Sequence, residues 1–363
     1  IDHPADIEVF PNERFSFPPF PETHLHTIQG ALAPTSAIGS DGKDWTAELA
    51  QEDSVHAQHF KTYRGQYLGL AEPHFLELTF DKEAVQNAKQ LRLLCTGWFY
   101  WTDASVNMAA GRTPGLGFTP PMLMVPGPDG TWVPTGPPVG FPAGKTKTMV
   151  IDVSQILNPE DPRLRIFSSI TLYWDRIALA VCGDDAPRVI TALAPTSARL
   201  WKRGFSAPLE SGRDDLPERF EWETLADLPR WDQHPGRYTK LGESLPLVQT
   251  IDDQFCVLGS GDCLTLQFDA SALPPLPEGW TRDYQVFFDG WAKDRDPNTI
   301  EALTVEPLPF HGMSGYPYGE DEHFPNTPAH QKWRDEWQTR QGKKLLAPIA
   351  PALFDAWTPG KEH

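Results

Sequence analysis

ALAPTSA is spelled twice in this chain, at residues 31–37 and again at 192–198. A duplicated unit repeats its strands and turns in the same order, so one identity of this length calls for a search for others. Two more blocks follow. QYLGLAEPHFLELTF (66–80) aligns without a gap to QFCVLGSGDCLTLQF (254–268), and GWFYWTD (97–103) aligns to GWAKDRD (290–296). The second block decides the structural class. Leu76, Leu78 and Phe80 alternate with Glu77 and Thr79, and Leu264, Leu266 and Phe268 repeat the pattern. A period of two buries one face of a β-strand. Three blocks in one order predict a mainly β chain with an internal duplication: two related β-sandwich lobes, jelly-roll or galactose-binding-like. Leu76 would then correspond to Leu264 and Trp98 to Trp291, with both tryptophans largely buried.

The rest of the chain is read around those blocks. Asp129-Gly130 between apolar flanks is a hairpin signal, and LRIFSSITLYWDRIALAV (164–181) supplies two closing strands. Residues 1–29, rich in proline and aromatics, read as an extended arm. Lobe 1 spans 30–186, lobe 2 spans 187–312, and 313–363 form a C-terminal tail. In that tail a short helix is expected, with Thr327 as N-cap, Pro328 at its first position and Gly342 as its stop.

With 40% hydrophobic residues, 37 prolines, 28 glycines and a net charge of −18, the composition suits many short strands joined by turns. The acidic balance repels phosphate backbones, so nucleic acid is not an expected partner. No apolar run is long enough to span a bilayer. The first residue is Ile1, with no charged and apolar leader, as expected of a mature form or of one part of a longer chain. Four cysteines fall two to a half. Cys256 and Cys263 bracket Gly259-Ser260-Gly261, a turn that would set them opposite each other as a disulfide, or as two small apolar strand residues. Cys95 and Cys182 would make the second bridge, and two bridges would imply an oxidising compartment.

Several motifs invite chemistry. GFPAGKT (140–146) has three residues, not four, between its first glycine and Gly-Lys-Thr, and a strand follows it, so it is not a phosphate-binding loop. His24 and His26 would share a face of an extended segment, and His56 and His59 a helical face. Either pair could contribute to a metal site, and surface histidines are the plainer reading. Asp289, Asp294, Asp296 and Asn298 lie within ten positions. Oxygen side chains at alternate positions suit Ca²⁺, whereas Asx turns would account for the same residues through local backbone hydrogen bonds. The matching loop of lobe 1 carries aromatics. Trp98, Tyr100 and Trp101 beside Asp103 and Asn107 could stack on a sugar ring and bond its hydroxyls, or could be packing alone.

PHFLELTF, GWFYWTDASVN, GFPAGKTKTMVIDVS, ITLYWDRI, GWTRDYQVFFDGWAKDRDPNT and TVEPLPFHGMSGYP together resemble the C-terminal region of large secreted bacterial proteins that carry FG-GAP propeller repeats with an ASPIC/UnbV module, or tetratricopeptide repeats. The resemblance runs from about residue 30 to about 340 and implies an exported protein with a recognition or assembly role. It brings no catalytic residues. The expectation is a non-catalytic extracellular module that binds a glycan or other protein subunits and is stabilised by calcium. The alternatives are a subunit of a surface filament or envelope complex held by its terminal arms, and a glycan-active enzyme. That enzyme would use acids such as Asp103, Asp175 or Asp296, paired about 5–10 Å apart in a cleft.

Overall fold

The computed structural model describes residues 1–15, 25–63, 67–181, 186–209, 219–229, 232–343 and 345. The chain is mainly β, built from several small antiparallel sheets. The strands are β1 (Asp2–Pro4), β2 (Ile7–Pro11), β3 (Leu25–Gln29), β4 (Ala31–Leu32), β5 (Ser36–Gly39), β6 (Leu70–Thr79), β7 (Arg92–Phe99), β8 (Met122–Pro126), β9 (Trp132–Pro134) and β10 (Lys147–Asp152). They continue as β11 (Arg163–Ile170), β12 (Leu172–Ala180), β13 (Pro195–Lys202), β14 (Phe205–Leu209), β15 (Arg219–Ala226), β16 (Arg237–Tyr238), β17 (Gly242–Glu243), β18 (Asp262–Phe268), β19 (Trp280–Arg282) and β20 (Arg340–Gln341). Among the described residues three α-helices accompany them: α1 (Lys82–Asn87), α2 (Ala104–Arg112) and α3 (Pro328–Trp337). The chain divides into two compact units, Ile1–Thr191 with Pro274–Val286, and Ala192–Leu273 with Phe287–His363. The second ALAPTSA opens the second unit. Residues 274–286, expected in lobe 2, return to the first unit because β19 pairs with β1 there.

In unit 1 a four-stranded sheet runs β10-β7-β12-β4 and a five-stranded sheet runs β5-β6-β11-β8-β9. Alternation sends Leu76 and Leu78 of β6 and Leu93 and Cys95 of β7 into one shared hydrophobic cluster, which Trp174 and Ile177 of β12 join from either side of a bulge. Burying each such aliphatic side chain stabilises the fold by roughly 1.5–3 kcal/mol. The arm is not free-standing. Hairpin β2–β3 covers part of the other face of the four-stranded sheet, with Ile28 and Phe10 against Leu94, Val150 and Ala178. Arg282 also grips the Asp2 carboxylate through two hydrogen bonds of 2.6 and 2.7 Å.

Unit 2 contains a three-stranded sheet, β17-β13-β18. Its ladder repeats that of unit 1 at the same register. Ala37 lies opposite Leu78 and Gly39 opposite Leu76. Ala198 lies opposite Leu266 and Leu200 opposite Leu264. On the far side of each first strand, Trp45 N–H donates to the Ala37 carbonyl and Ser244 N–H to the Ala198 carbonyl, both at 2.8 Å. The third block departs from this. Trp98 sits in β7 opposite Tyr173 and is half-buried. Trp291 lies in no strand and is 52% exposed. Neither is as buried as the sequence suggests, and the two environments differ because β7 has a neighbour on each side.

The helix begins where expected, with Thr327 accepting from His330 N–H, but it ends at Trp337 rather than near Gly342. Gln338 turns its amide to Thr239 and to the Phe255 carbonyl, and β20 then pairs with β16. Tertiary bonds outcompete the local helix signal. Trp333 is buried and donates to the Phe255 carbonyl, while Trp337 lies under the Lys240 ammonium. Cys256 and Cys263 are not bridged. The turn between them exists, with Asp262 N–H on the Gly259 carbonyl, but residue 257 runs against Thr239 instead of alongside β18. Cys95 is a free, buried thiol of the core, and its partner Cys182 lies outside the described residues.

Gly97 and Gly290 occupy matching places in the repeat and unlike places in space. A Cβ on Gly97 would stand 2.6 Å from the Tyr173 carbonyl and 2.7 Å from the Trp174 ring, and one on Gly290 would meet nothing within 4 Å. Gly97→Ala should therefore lower stability by about 1–3 kcal/mol, as overpacking does, and Gly290→Ala by less than about 0.5 kcal/mol. Urea titrations of the two variants check this.

Candidate functional site

The outer face of the four-stranded sheet holds the most chemically suggestive group of side chains. Strand alternation turns Trp98 away from the core while its neighbour Phe99 enters it. Trp98 packs on Tyr173 of β12 with ring centroids 5.8 Å apart, and on Tyr100 at 5.6 Å. Tyr100 lies almost parallel to Trp101 (16°, 6.3 Å), and Trp101 is 42% exposed. Inward, Tyr173 meets Phe60 at 5.2 Å, Phe60 meets His74 at 5.1 Å, and His74 meets His59 at 5.0 Å. His56 stands edge-on to Tyr173. Rings thus run in contact from solvent at Trp101 to the interior at His59.

Of the five residues expected to bind a ligand, the structure brings three together as this aromatic wall. The other two are engaged by neighbours in the chain. Asp103 is the N-cap of α2 and accepts from Val106 N–H at 2.7 Å. Asn107 accepts from the Thr102 hydroxyl at 3.1 Å. An Asp followed by Ala-Ser-Val is a helix-start signature, and that local demand takes the carboxylate. Among the described residues, no acceptor meets the Trp98 indole N–H.

Tyr173, Phe60 and His74 belong to this site and were not singled out in the sequence. Only the pairing of β7 with β12 places Tyr173 opposite Trp98. His56 and His59 share no helical face, because residues 51–62 form no helix. His59 is enclosed, and its Nδ1 has no partner, while His74 Nδ1 meets the Glu72 carbonyl at 2.8 Å. Of the other histidine pair, His24 lies outside the described residues and His26 is in β3.

The acidic loop of unit 2 is organised by Asx turns. Asp294 accepts from Asp296 N–H, Asp296 accepts from Asn298 N–H at 2.6 Å, and Asp294 also takes the Thr299 hydroxyl. Arg295, with φ of 63°, leaves the loop to pair with Asp232. Asp289 faces His311, whose other nitrogen meets Asp253 at 2.8 Å. No three His, Cys, Asp or Glu side chains are grouped to hold a metal ion among the described residues. Asp175 is buried and accepts from the N–H groups of Asp53 and Ser54.

No protein-family model matches the chain, and no curated protein or solved structure matches it.

Burial pulls the pKa of His59 down to about 3, with His74 adding to the effect, and that of His74 down to about 4. Both rings are neutral in the folded protein. An unfolded histidine takes a proton near pH 6.5, so the unfolded state binds more protons as pH falls from about 6.5 to about 4. Stability should therefore fall across that window, by roughly 1.4 kcal/mol per pH unit per histidine at most. His59→Phe should flatten the slope of urea midpoint against pH between 6.5 and 5. An unchanged slope would show that these rings do not govern it.

Proposed function

We propose that this chain is an exported, non-catalytic binding module whose ligand is a glycan stacked on the aromatic wall of unit 1. The observation that carries the reading is the parallel Tyr100–Trp101 pair, held outside the core and continuous with Trp98 and Tyr173. Flat faces fixed by neighbouring rings are pre-organised for a sugar's apolar side. With Asp103 and Asn107 engaged at the start of α2, the polar contact falls to the Trp98 indole N–H. Binding is favoured over catalysis because Asp103, Asp175 and Asp296 each accept backbone N–H groups.

The finer architecture belongs to the same proposal. Unit 1 is taken as a jelly-roll or galactose-binding-like sandwich, supported by the cluster its two sheets share. Unit 2 is taken as the product of an internal duplication, supported by the common register of β5–β6 and β13–β18. Export and a recognition role accord with the resemblance to secreted FG-GAP and ASPIC/UnbV proteins. A panel of neutral oligosaccharides titrated against tryptophan fluorescence tests the function. Trp101→Ala, at an exposed position, should weaken the best ligand about tenfold. A panel without a single ligand below about 1 mM sinks the reading.

Calcium is proposed as a stabiliser of loop 289–299, where Asp294, Asp296 and Asn298 fall at alternate positions on a chain already at −18. Ca²⁺ should raise the melting temperature progressively with concentration, and Asp296→Ala should remove the effect. A melt indifferent to Ca²⁺ and to EDTA leaves the Asx turns as the whole account.

A further inference from the structure

β18 carries the same alternation as β6 and pairs with its first neighbour at the same register, yet the two strands end in different surroundings. β6 has a second neighbour, β11, along most of its length. β18 pairs with β13 alone among the described residues. Leu76, Leu78 and Phe80 are fully buried. Their counterparts Leu264 and Leu266 are half-buried, and Phe268 is 42% exposed.

The hydrogen-bond parity shows which groups the open edge presents. Arg203 N–H donates to the Gly261 carbonyl, so residues 263, 265 and 267 face β13. Leu264, Leu266 and Phe268 turn their N–H and C=O groups outward. Soluble proteins blunt such an edge with proline, lysine or a covering segment. From Cys263 to Phe268 this strand has no proline and no charged residue. Of the two acids that flank it, the Asp262 carboxylate is enclosed by Arg340 and Lys202, and Asp269, just beyond Phe268, accepts from Ser271 N–H.

We propose that β18 is a homophilic docking edge, which pairs antiparallel with β18 of a second copy of this chain about a two-fold axis at Leu266. The sequence is self-complementary about that point. Leu266 meets Leu266 of the second copy, Leu264 meets Phe268, and Thr265 meets Gln267 on the other face. Every outward N–H and C=O between 264 and 268 gains a partner, and the two half-exposed apolar strips become one. Isologous contacts of this kind close on themselves as dimers. Charge favours this occupant too. Two chains at −18 repel each other over most of their surface, and an uncharged edge is where they can approach. The same repulsion makes the dimer tighten as salt is added.

Sedimentation equilibrium of the chain from about 1 to 100 μM tests the proposal, with hydrogen exchange of the Leu264, Leu266 and Phe268 amides followed over the same range. The expected result is a monomer–dimer equilibrium that strengthens with salt and slows exchange at those three amides as concentration rises. Leu266→Lys sets two ammonium groups face to face at the axis and should weaken the dimer at least tenfold. Glu243→Ala, on the opposite edge of the sheet, should leave it unchanged. A monomer at every concentration overturns the proposal, as does a dimer whose three amides exchange no more slowly than in the monomer. The exchange readout on the unaltered chain stands even if Leu266→Lys does not fold.

Discussion

One extra residue in β12 decides which side chains unit 1 offers to solvent. Strict alternation through Tyr173-Trp174-Asp175-Arg176-Ile177 would put Trp174 and Arg176 on the same face and drive a guanidinium into the apolar cluster. The ladder avoids this by a bulge. Trp174 pairs with Gly97 and Arg176 with Thr96, so Asp175 is left without an opposite residue. Trp174, Ile177 and Leu179 then all point inward, while Tyr173 and Arg176 point outward, the latter to Glu8. The Asp175 carboxylate fixes the bulge by accepting from Asp53 and Ser54. The loop held in this way brings His56 onto Tyr173. Bulges commonly re-aim side chains beside functional sites, and here the bulge sets Tyr173 against Trp98. The indole of Trp174, turned inward, can sit where it does only because residue 97 has no side chain.

The two units show how little a strand's register says about its burial. β5–β6 and β13–β18 have matching pairings, yet among the described residues only β6, and not β18, has a second neighbour on its other edge and sends its leucines into a large shared core. A half-exposed leucine contributes correspondingly less of the roughly 1.5–3 kcal/mol available to a buried one. Unit 2 leans instead on polar anchors. Arg340 and the Gly259 N–H hold the enclosed Asp262 carboxylate. Gln338 and Trp333 both donate to the Phe255 carbonyl, tying α3 to the segment before β18. Such bonds stabilise only in fixed geometry and are costly when one partner is lost.

Those differences mark what the sequence could convey. The alternation in FLELTF and CLTLQF identified β6 and β18 because period two is a local property, and the Thr327-Pro328 cap located the start of α3 for the same reason. Partners and neighbours are not local. Trp291 shares its dipeptide with Trp98, but the segment around it has no strand beside it. The cysteines of CVLGSGDC flank a real turn, but Thr239 from elsewhere in unit 2 claims one arm of the expected hairpin. The aromatic side chains of the site were visible as a string, Trp98 to Trp101. Tyr173, Phe60 and His74 were not, since strand pairing and the Asp175 bulge bring them there. Asp103 reads as a ligand group because a helix cap and a sugar contact ask for the same residue type, and Asn107 because its amide oxygen takes the Thr102 hydroxyl as it would a sugar's.

The acidity of the chain has a structural use that the net charge alone conceals. Asp41, Asp44, Asp53, Asp129 and Asp152 each accept the N–H two residues ahead, as do Asp252, Asp269, Asp294 and Asp296. These are Asx turns, which supply backbone partners in a chain whose loops outweigh its strands. Hydrogen bonds from the residues two ahead hold the carboxyls of Asp44, Asp53, Asp129 and Asp269 below their ordinary range. Their stabilisation is present above about pH 4 and fades below it as the carboxylates protonate. A string such as Asp-Arg-Asp-Pro-Asn therefore has a sufficient physical cause in turn formation. Any ion at that loop has to compete with bonds already made, which is why its affinity, if it binds, is a measure of how much of the Asx geometry it leaves intact.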